Sequence, residues 1–596
     1  MFNTMRKRLL LFWITFVFYA CKTAPSLKDS LTVSEAMDAV ITRLYREVPV
    51  TRYGAIDDNY VLNFLKPEER KAFANRYQYF TVNVPVRVSV MRHVDQKTVP
   101  FWLPESGFTR TQLRVKNETG YEYEVWQREY PAGKVELGIN GFDKHRPVYF
   151  VTVAALDTAQ ELQITELFPS QYEVSTMKKG AFTYHDWSGL LLSEVPKELV
   201  GQKLLTTVRG RARESHIIGG FRNTSFPSSP KPDQIVLTWS RSPRTTIDVQ
   251  WRTDTTVEDG AIRYWRDNEG DTLLQNGIRN VVEDRMLFND RYIHRFTAEL
   301  KDLKSGIRYY YQVGSPANQS WSEPRNFTTQ SDDVQNFSFV WFGDTHCFPD
   351  SGKLVTLADE RNKDAAFYTI AGDVVSTGLN RDDWDKLFHH SGDVFSKKPL
   401  MPVPGNHDRQ DGLGAKLYYD LFSLPKNGPP KVDAESSYSF EYGNALFLMI
   451  DATSEVPDHT AWIEKTLASS KATWKFAVFH FPPYNFEEPY FDIQEAWVPL
   501  FDKYHVDMVM GGHIHYYMRS HPMNNGKVVG SFAKGTVYAI SISIPSSHDN
   551  MTAEPYAATQ FDHGYFYQRM EIKGNSLKYS AVDVNGTVRD EFEINK

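Results

Sequence analysis

Phe337-Ser338-Phe339-Val340-Trp341-Phe342-Gly343-Asp344-Thr345-His346 is the stretch that decides the fold of this chain. Its first six residues form a short, nearly continuous apolar run, the mark of a strand buried on both faces. The glycine that closes the run lets the backbone turn sharply, so that the Asp and His side chains project over the edge of a sheet. The same event recurs downstream. Apolar runs at 367–370, 400–403, 476–479 and 506–510 lead to Gly372-Asp373, Gly405-Asn406-His407-Asp408, His480 and Gly512-His513-Ile514-His515. A further run lies at 446–450, and helical patterns fall between the runs at 382–388, 460–467 and 493–504. This alternation predicts an α/β domain over 337–596, with a ligand site at the carboxyl ends of its strands.

Carboxylate, imidazole and amide side chains, with no cysteine among them, suit borderline metals such as Zn, Mn or Fe. A single Gly-Asp or a single His is commonly a turn or a surface group. Five such fragments in this order, each after a strand, point to a two-metal site. Over the stretch from 232 to the C-terminus the sequence resembles the calcineurin-like metallophosphoesterases, and among them the purple acid phosphatases. The resemblance implies an αββα sandwich for 337–596 and a pair of divalent or mixed-valence ions. One ion would take Asp344, His346, Asp373 and His515. The other would take Asp373, Asn406, His480 and His513, the two oxygens of Asp373 serving the two ions. The nucleophile is then a hydroxide held between the metals. His407 would protonate the leaving oxygen or stabilise the transition state, and Asp408 would orient it. The resemblance also breaks in one place: the metal-binding tyrosine of the purple enzymes is replaced by Ser376, while His346 stands where those enzymes usually have glycine.

Upstream, alternating residues over 232–330 predict a second β module, similar to the fibronectin-III-like domain that precedes the catalytic domain in purple acid phosphatases. The Ser- and Pro-rich segment 225–233 reads as a linker. Residues 80–222 form a β-rich module of unnamed type, where Val82, Val84, Val86, Val88 and Val90 alternate as one strand and Pro85 suggests a sheet edge. Trp102 and Trp126 are core residues by expectation, with glycan or protein contact as the other use of these modules. The region 21–79 reads as a tether with short helices, one opened by a capping box at Thr32 and Glu35 and one starting at Pro67.

The N-terminus carries Arg6, Lys7 and Arg8, then a 12-residue apolar run that ends at Cys21. That is too short to span a bilayer and reads as a signal peptide over 1–20, with Cys21 as a lipidated first residue in a bacterial envelope. Only one other cysteine, Cys347, exists, so no disulfide framework is expected. A net charge of -7 argues against a nucleic-acid partner. The expected function is hydrolysis of small phosphate monoesters at the envelope. The alternatives are a phosphodiesterase and a surface-binding lipoprotein with an inactive phosphatase fold. His389 and His390 are expected to be solvated and Cys347 buried and inert. Tyr484, Asn485, Glu487 and Glu488 are expected to wall the pocket.

Overall fold

The computed structural model describes residues 31–184, 190–267, 271–409, 414–487, 490–548 and 551–596. The export segment, Cys21 and Glu488 lie outside the described residues. The capping box is present: Glu35 N donates to Thr32 Oγ1 at 3.2 Å, and Thr32 N donates to Glu35 Oε2 at 2.8 Å. The helix it opens, Val33–Glu47, buries Ala36, Met37, Val40, Ile41 and Leu44. This face packs on the helix Pro67–Asn75 and shares one hydrophobic core with the strands up to Leu205 and with Ile217. The expected short helices therefore pack into the core of the β module.

The single strand expected over 82–90 is two strands. Gln78–Val82 joins a three-stranded sheet, whereas Val86–His93 sits inside a seven-stranded sheet between Glu122–Tyr130 and Phe150–Ala155. Pro85 has no N–H to give a ladder, and it marks the switch between sheets, not an edge. Trp102 is fully buried and its Nε1 donates to Ile139 O at 2.7 Å, which settles it as core.

The second unit is a sandwich of two antiparallel sheets. Along its strand Ile247–Thr253, Val249 and Trp251 face the sandwich core, so Asp248, Gln250 and Arg252 face outward. They are nonetheless buried, because this face packs on the third unit. Thr238 Oγ1 donates to Ser423 O at 2.5 Å, Leu400 N to Leu237 O at 2.9 Å, and Arg252 Nη1 to Asp385 at 2.8 Å. The segment expected as a linker is fixed beside the same joint: Phe226 O accepts from Arg252 Nη1 at 3.0 Å, and Ser228 N and Oγ donate to Asp290 at 2.8 and 2.6 Å.

The third unit holds two sheets face to face. The five-stranded sheet runs in the order Ala365–Ile370, Asn336–Phe342, Phe566–Lys573, Ser576–Asp583, Val588–Asn595. In the seven-stranded sheet Ala445–Met449, Trp474–Val478, Met508–Gly511 and Val537–Ile540 are parallel neighbours. Period-two alternation sorts their residues. Phe447 and Phe476 meet Phe339 of the other sheet at ring distances of 5.0 and 5.6 Å. Leu446, Leu448 and Ala477 instead pack with the helical residues Ile463, Leu467 and Phe501. This is the expected αββα order. The helix expected over 493–504 is split at Trp497 into Phe491–Ala496 and Val498–Tyr504, with Pro499 in the first turn of the second. Among the described residues no helix is long and apolar enough to cross a membrane.

Candidate metal centre

The parallel strands of both sheets end at one place, where Ser543 N donates to Asp344 O at 3.1 Å and so ties the sheets together. Here the two carboxylates are set in the same manner. Asp344 Oδ1 accepts from His513 N at 2.8 Å, and Asp373 Oδ1 accepts from His407 N at 2.9 Å. Each loop needs glycine for this approach: a Cβ on Gly512 would lie 2.2 Å from Asp344 Oδ1, and one on Gly405 would lie 2.2 Å from Asp373 Oδ1. Both Oδ1 atoms are thereby used, and both Oδ2 atoms face the imidazoles. Asp344 Oδ2 lies 3.3 Å from His515 Nε2 and 3.7 Å from His346 Nε2. Asp373 Oδ2 lies 3.2 Å from His480 Nε2 and 3.7 Å from His346 Nε2. Asp373 Oδ2 is thus the atom that faces imidazoles of both expected ligand sets, His346 and His480, while Oδ1 accepts from the backbone.

The donor set fits a pair of cations. His480 Nδ1 lies 2.9 Å from Ala371 O and must carry a proton there. In the neutral ring Nε2 is then a lone pair. It faces Asn406 Oδ1 at 3.1 Å, His513 Nδ1 at 3.2 Å and Asp373 Oδ2, a convergence of acceptors that a cation relieves. Asp344 Oδ2 is buried and has no well-aligned hydrogen-bond donor among the described residues. Asp344, His346 and His515 form one close ligand group, and Asp373, His480 and His513 another. The seven residues expected as ligands are all brought together.

Electrostatics agree with this reading. Burial alone would lower His480, yet the Asp373 and Asp344 carboxylates push it up to about 9, so a proton takes the cation's place when none is bound. Burial would raise Asp373, but His480 and His407 hold it well below the usual carboxylate range. His346 behaves oppositely: burial pushes it down to about 4 against both carboxylates, which leaves a neutral ring to act as ligand.

His407 stands at the opening, its side chain 38% exposed and its Nε2 4.0 Å from Asp373 Oδ2. The group that orients it is the carbonyl of Ser376, 2.7 Å from Nδ1, rather than Asp408. Asp408 is fully buried and accepts from Gly405 N, Val374 N and Val375 N at 2.8, 3.1 and 3.0 Å, a staple between the two ligand loops. Burial and the neighbouring Asp373 push its carboxyl up to about 7 against those three N–H groups. Sequence reasoning missed Ser376 as a partner of the site; the one available signal was that it occupies the position of the absent tyrosine.

The secondary expectations divide. Cys347 is 4% exposed and burial pushes its thiol up to about 12, as expected of an inert group. His389 and His390 are not simply solvated: His389 stacks on Phe226 at 3.8 Å, and His390 Nδ1 bonds Cys347 O at 2.9 Å. Tyr484 turns inward against Tyr538, and Asn485 is buried with its Nδ2 donating to Pro482 O at 2.9 Å, so of this loop Glu487 alone is exposed among the described residues.

A two-sheet αββα unit with acidic and imidazole ligands at its strand ends is the fold and site of a calcineurin-like phosphoesterase, and residues 337–517 match the Calcineurin-like phosphoesterase family. Residues 232–329 match the family of the purple acid phosphatase N-terminal domain, and the chain is homologous to the purple acid phosphatases. It is 24% identical over 324 residues to a purple acid phosphatase of Glycine max, which covers 50% of this chain and 68% of that protein. It is 27% identical over 369 residues to "Probable inactive purple acid phosphatase 27" of Arabidopsis thaliana, covering 51% of this chain and 58% of that one. The solved structure of the purple acid phosphatase PPD1 from yellow lupin seeds shares the fold, with a TM-score of 0.53 and 15% identity over 88% of this chain and 91% of that one.

Proposed function

We propose that this chain hydrolyses phosphate monoesters in a reaction that depends on a pair of divalent metal ions. The observation that carries the reading is the convergence of Asp344, His346 and His515, and of Asp373, His480 and His513, into two adjoining groups, the ligand atoms of each lying within 4.8 Å of one another. Two cations bound there supply an activated water and neutralise charge on the phosphoryl oxygens. The protein's own part is to hold and move a proton. Since His407 Nδ1 is engaged by Ser376 O, Nε2 is the atom that can deliver a proton to the leaving oxygen. His515, also partly exposed, and Asn406 border the same opening, where the phosphoryl group would sit.

Monoesters are favoured because the named relatives are phosphatases. His346 favours the second reading, a phosphodiesterase, since this ligand belongs to the wider superfamily. An inactive fold is disfavoured because the expected ligand set is complete. Among the seven residues expected as ligands the anionic ones are Asp344 and Asp373, which suits two divalent ions. Location at the cell envelope, through a lipid on Cys21, rests on the N-terminal sequence and is read by mass spectrometry of the mature N-terminus.

The test is steady-state hydrolysis of aryl monoesters and diesters after loading with Mn, Zn or Fe. A monoester preference is expected, and a colourless protein even with iron. A preference for diesters would install the second reading, and failure to turn over either class with two metals bound would reject hydrolysis.

A further inference from the structure

Ser376 stands where the purple acid phosphatases have their metal-binding tyrosine, and its side chain turns toward another part of the site. Its Oγ donates to the carbonyl oxygen of His346 at 2.9 Å. Its own carbonyl accepts from His407 Nδ1 at 2.7 Å. One residue therefore touches both the backbone of a metal ligand and the ring of the proposed acid.

The first contact matters because of the conformation it meets. His346 and Cys347 are consecutive non-glycine residues in the left-handed region, at φ 46° and 56°. Such residues are costly and persist only where the surroundings fix them. The N–H side of this turn is fixed by backbone: Thr345 N and His346 N donate to Asp373 O at 3.2 and 2.9 Å, and Cys347 N donates to Val374 O at 3.1 Å. On the carbonyl side of His346, the hydroxyl of Ser376 is the one hydrogen-bond partner among the described residues. That carbonyl belongs to the peptide that joins the two left-handed residues.

We propose that Ser376 is a positioning residue whose hydroxyl holds His346 in the turn that aims its Nε2 at Asp344 Oδ2 and Asp373 Oδ2. The side chain at 376 then serves the centre as an anchor for the ligand and not as a ligand itself. The proposal rests on the metal-centre reading above. It does not involve His407, because the backbone of 374 and 375 is stapled independently by Asp408 and keeps the carbonyl of Ser376 in place.

The experiment is competitive titration of the metal-free chain with Zn²⁺ against a chromogenic chelator, with no turnover measured. Ser376→Ala should weaken one of two Zn²⁺ equivalents by roughly 10–100-fold, the usual worth of a group that orients a ligand. The other equivalent should be unchanged, and Ser376→Thr should restore the lost affinity. In a His346→Ala background, Ser376→Ala should have no further effect. The nitrogen chemical shifts of the His407 ring should be the same in Ser376→Ala and wild type. Wild-type affinity for both ions in Ser376→Ala, or an equal loss with and without His346, would overturn the proposal while leaving the centre intact. A wild-type chain that binds fewer than two Zn²⁺ would overturn the metal-centre reading, and this proposal with it.

Discussion

Buried charge is handled in opposite ways at the joint between the sandwich and the α/β unit and at the ends of the parallel strands. At the joint Arg252 is 1% exposed and gives its donors to Asp233 at 2.6 and 2.8 Å, to Asp385 at 2.8 Å and to Phe226 O at 3.0 Å. Asp385, equally buried, also accepts from Gln234 and Thr224, each at 2.8 Å. At the strand ends Asp344 and Asp373 are as buried, but their Oδ2 atoms face imidazole nitrogens, of which His480 Nε2 is an acceptor when the ring is neutral because Nδ1 donates to Ala371 O. Burial alone does not separate a structural from a functional carboxylate; the count of donors does. Where donors and acceptors balance, the group holds units together. Where acceptors outnumber donors, the balance is restored from outside the chain.

Asp373→Asn should have the largest effect. An amide keeps the size of the carboxylate and removes the charge that both cations share. Turnover should be abolished and bound metal should fall below two ions per chain by elemental analysis. Two retained ions with normal turnover would show that the strand ends are an ordinary polar network.

His407→Ala should have a smaller effect, about 10²–10⁴ in kcat, with metal content unchanged, because the residue donates a proton rather than holding an ion. The loss should depend on the substrate. An alkyl alkoxide leaves poorly without a proton, whereas p-nitrophenolate leaves unaided, so alkyl phosphates should suffer most. Equal losses on both would move His407 from general acid to stabiliser of phosphoryl charge.

That these seven side chains converge was legible in the sequence because metal chemistry admits few residue types, and because the residues expected as ligands follow strands, most of them after a glycine, in a fixed order from Gly343 to His515. What stayed hidden depended on partners far along the chain. An aspartate after a histidine reads alike whether it turns to that histidine or away from it, and Asp408 turns away, to Val374 and Val375. Ser376 meets His346 thirty residues upstream. Pro85 reads as an edge until the two sheets it separates are known, and the short helices before residue 79 give no sign of the β module they pack on because its strands begin only afterwards. The same cause hid the polar face of the sandwich: Asp248, Gln250 and Arg252 alternate with core residues as any solvated face would, and only the neighbouring unit buries them.

Arg252→Ala tests the other half of the comparison. It leaves Asp385 buried with two neutral donors, which should cost about 3–5 kcal/mol in chemical denaturation while two metals still bind. Removing Asp385 as well should recover part of that loss, as balanced deletion of a pair is cheaper than deletion of one partner. No recovery in the double variant would mean that the joint relies on shape more than on charge balance.

The smallest effect is expected at Asp248, a carboxylate on the same outer face that lacks a cation. Ser240 N donates to Asp248 Oδ2 at 2.5 Å, and Oδ1 has no partner among the described residues. Burial pushes its carboxyl up to about 7, against the Ser240 bonds and with help from Glu299. Between roughly pH 4 and 7 the folded chain therefore keeps a proton that the unfolded chain has released. By linkage the stability that Asp248 leaves intact at low pH is lost as pH rises through that window. Asn at this position is neutral throughout and escapes the loss. Asp248→Asn should unfold like wild type only below about pH 4 and be more stable at pH 8, by on the order of 1–3 kcal/mol. The reading is the difference in apparent Tm between the two chains, followed from below about pH 4 to pH 8. A difference that stays constant with pH would show that Asp248 remains ionised in the fold, and a carboxylate so placed would then need a cation of its own, which would make the outer face of the sandwich resemble the strand ends after all.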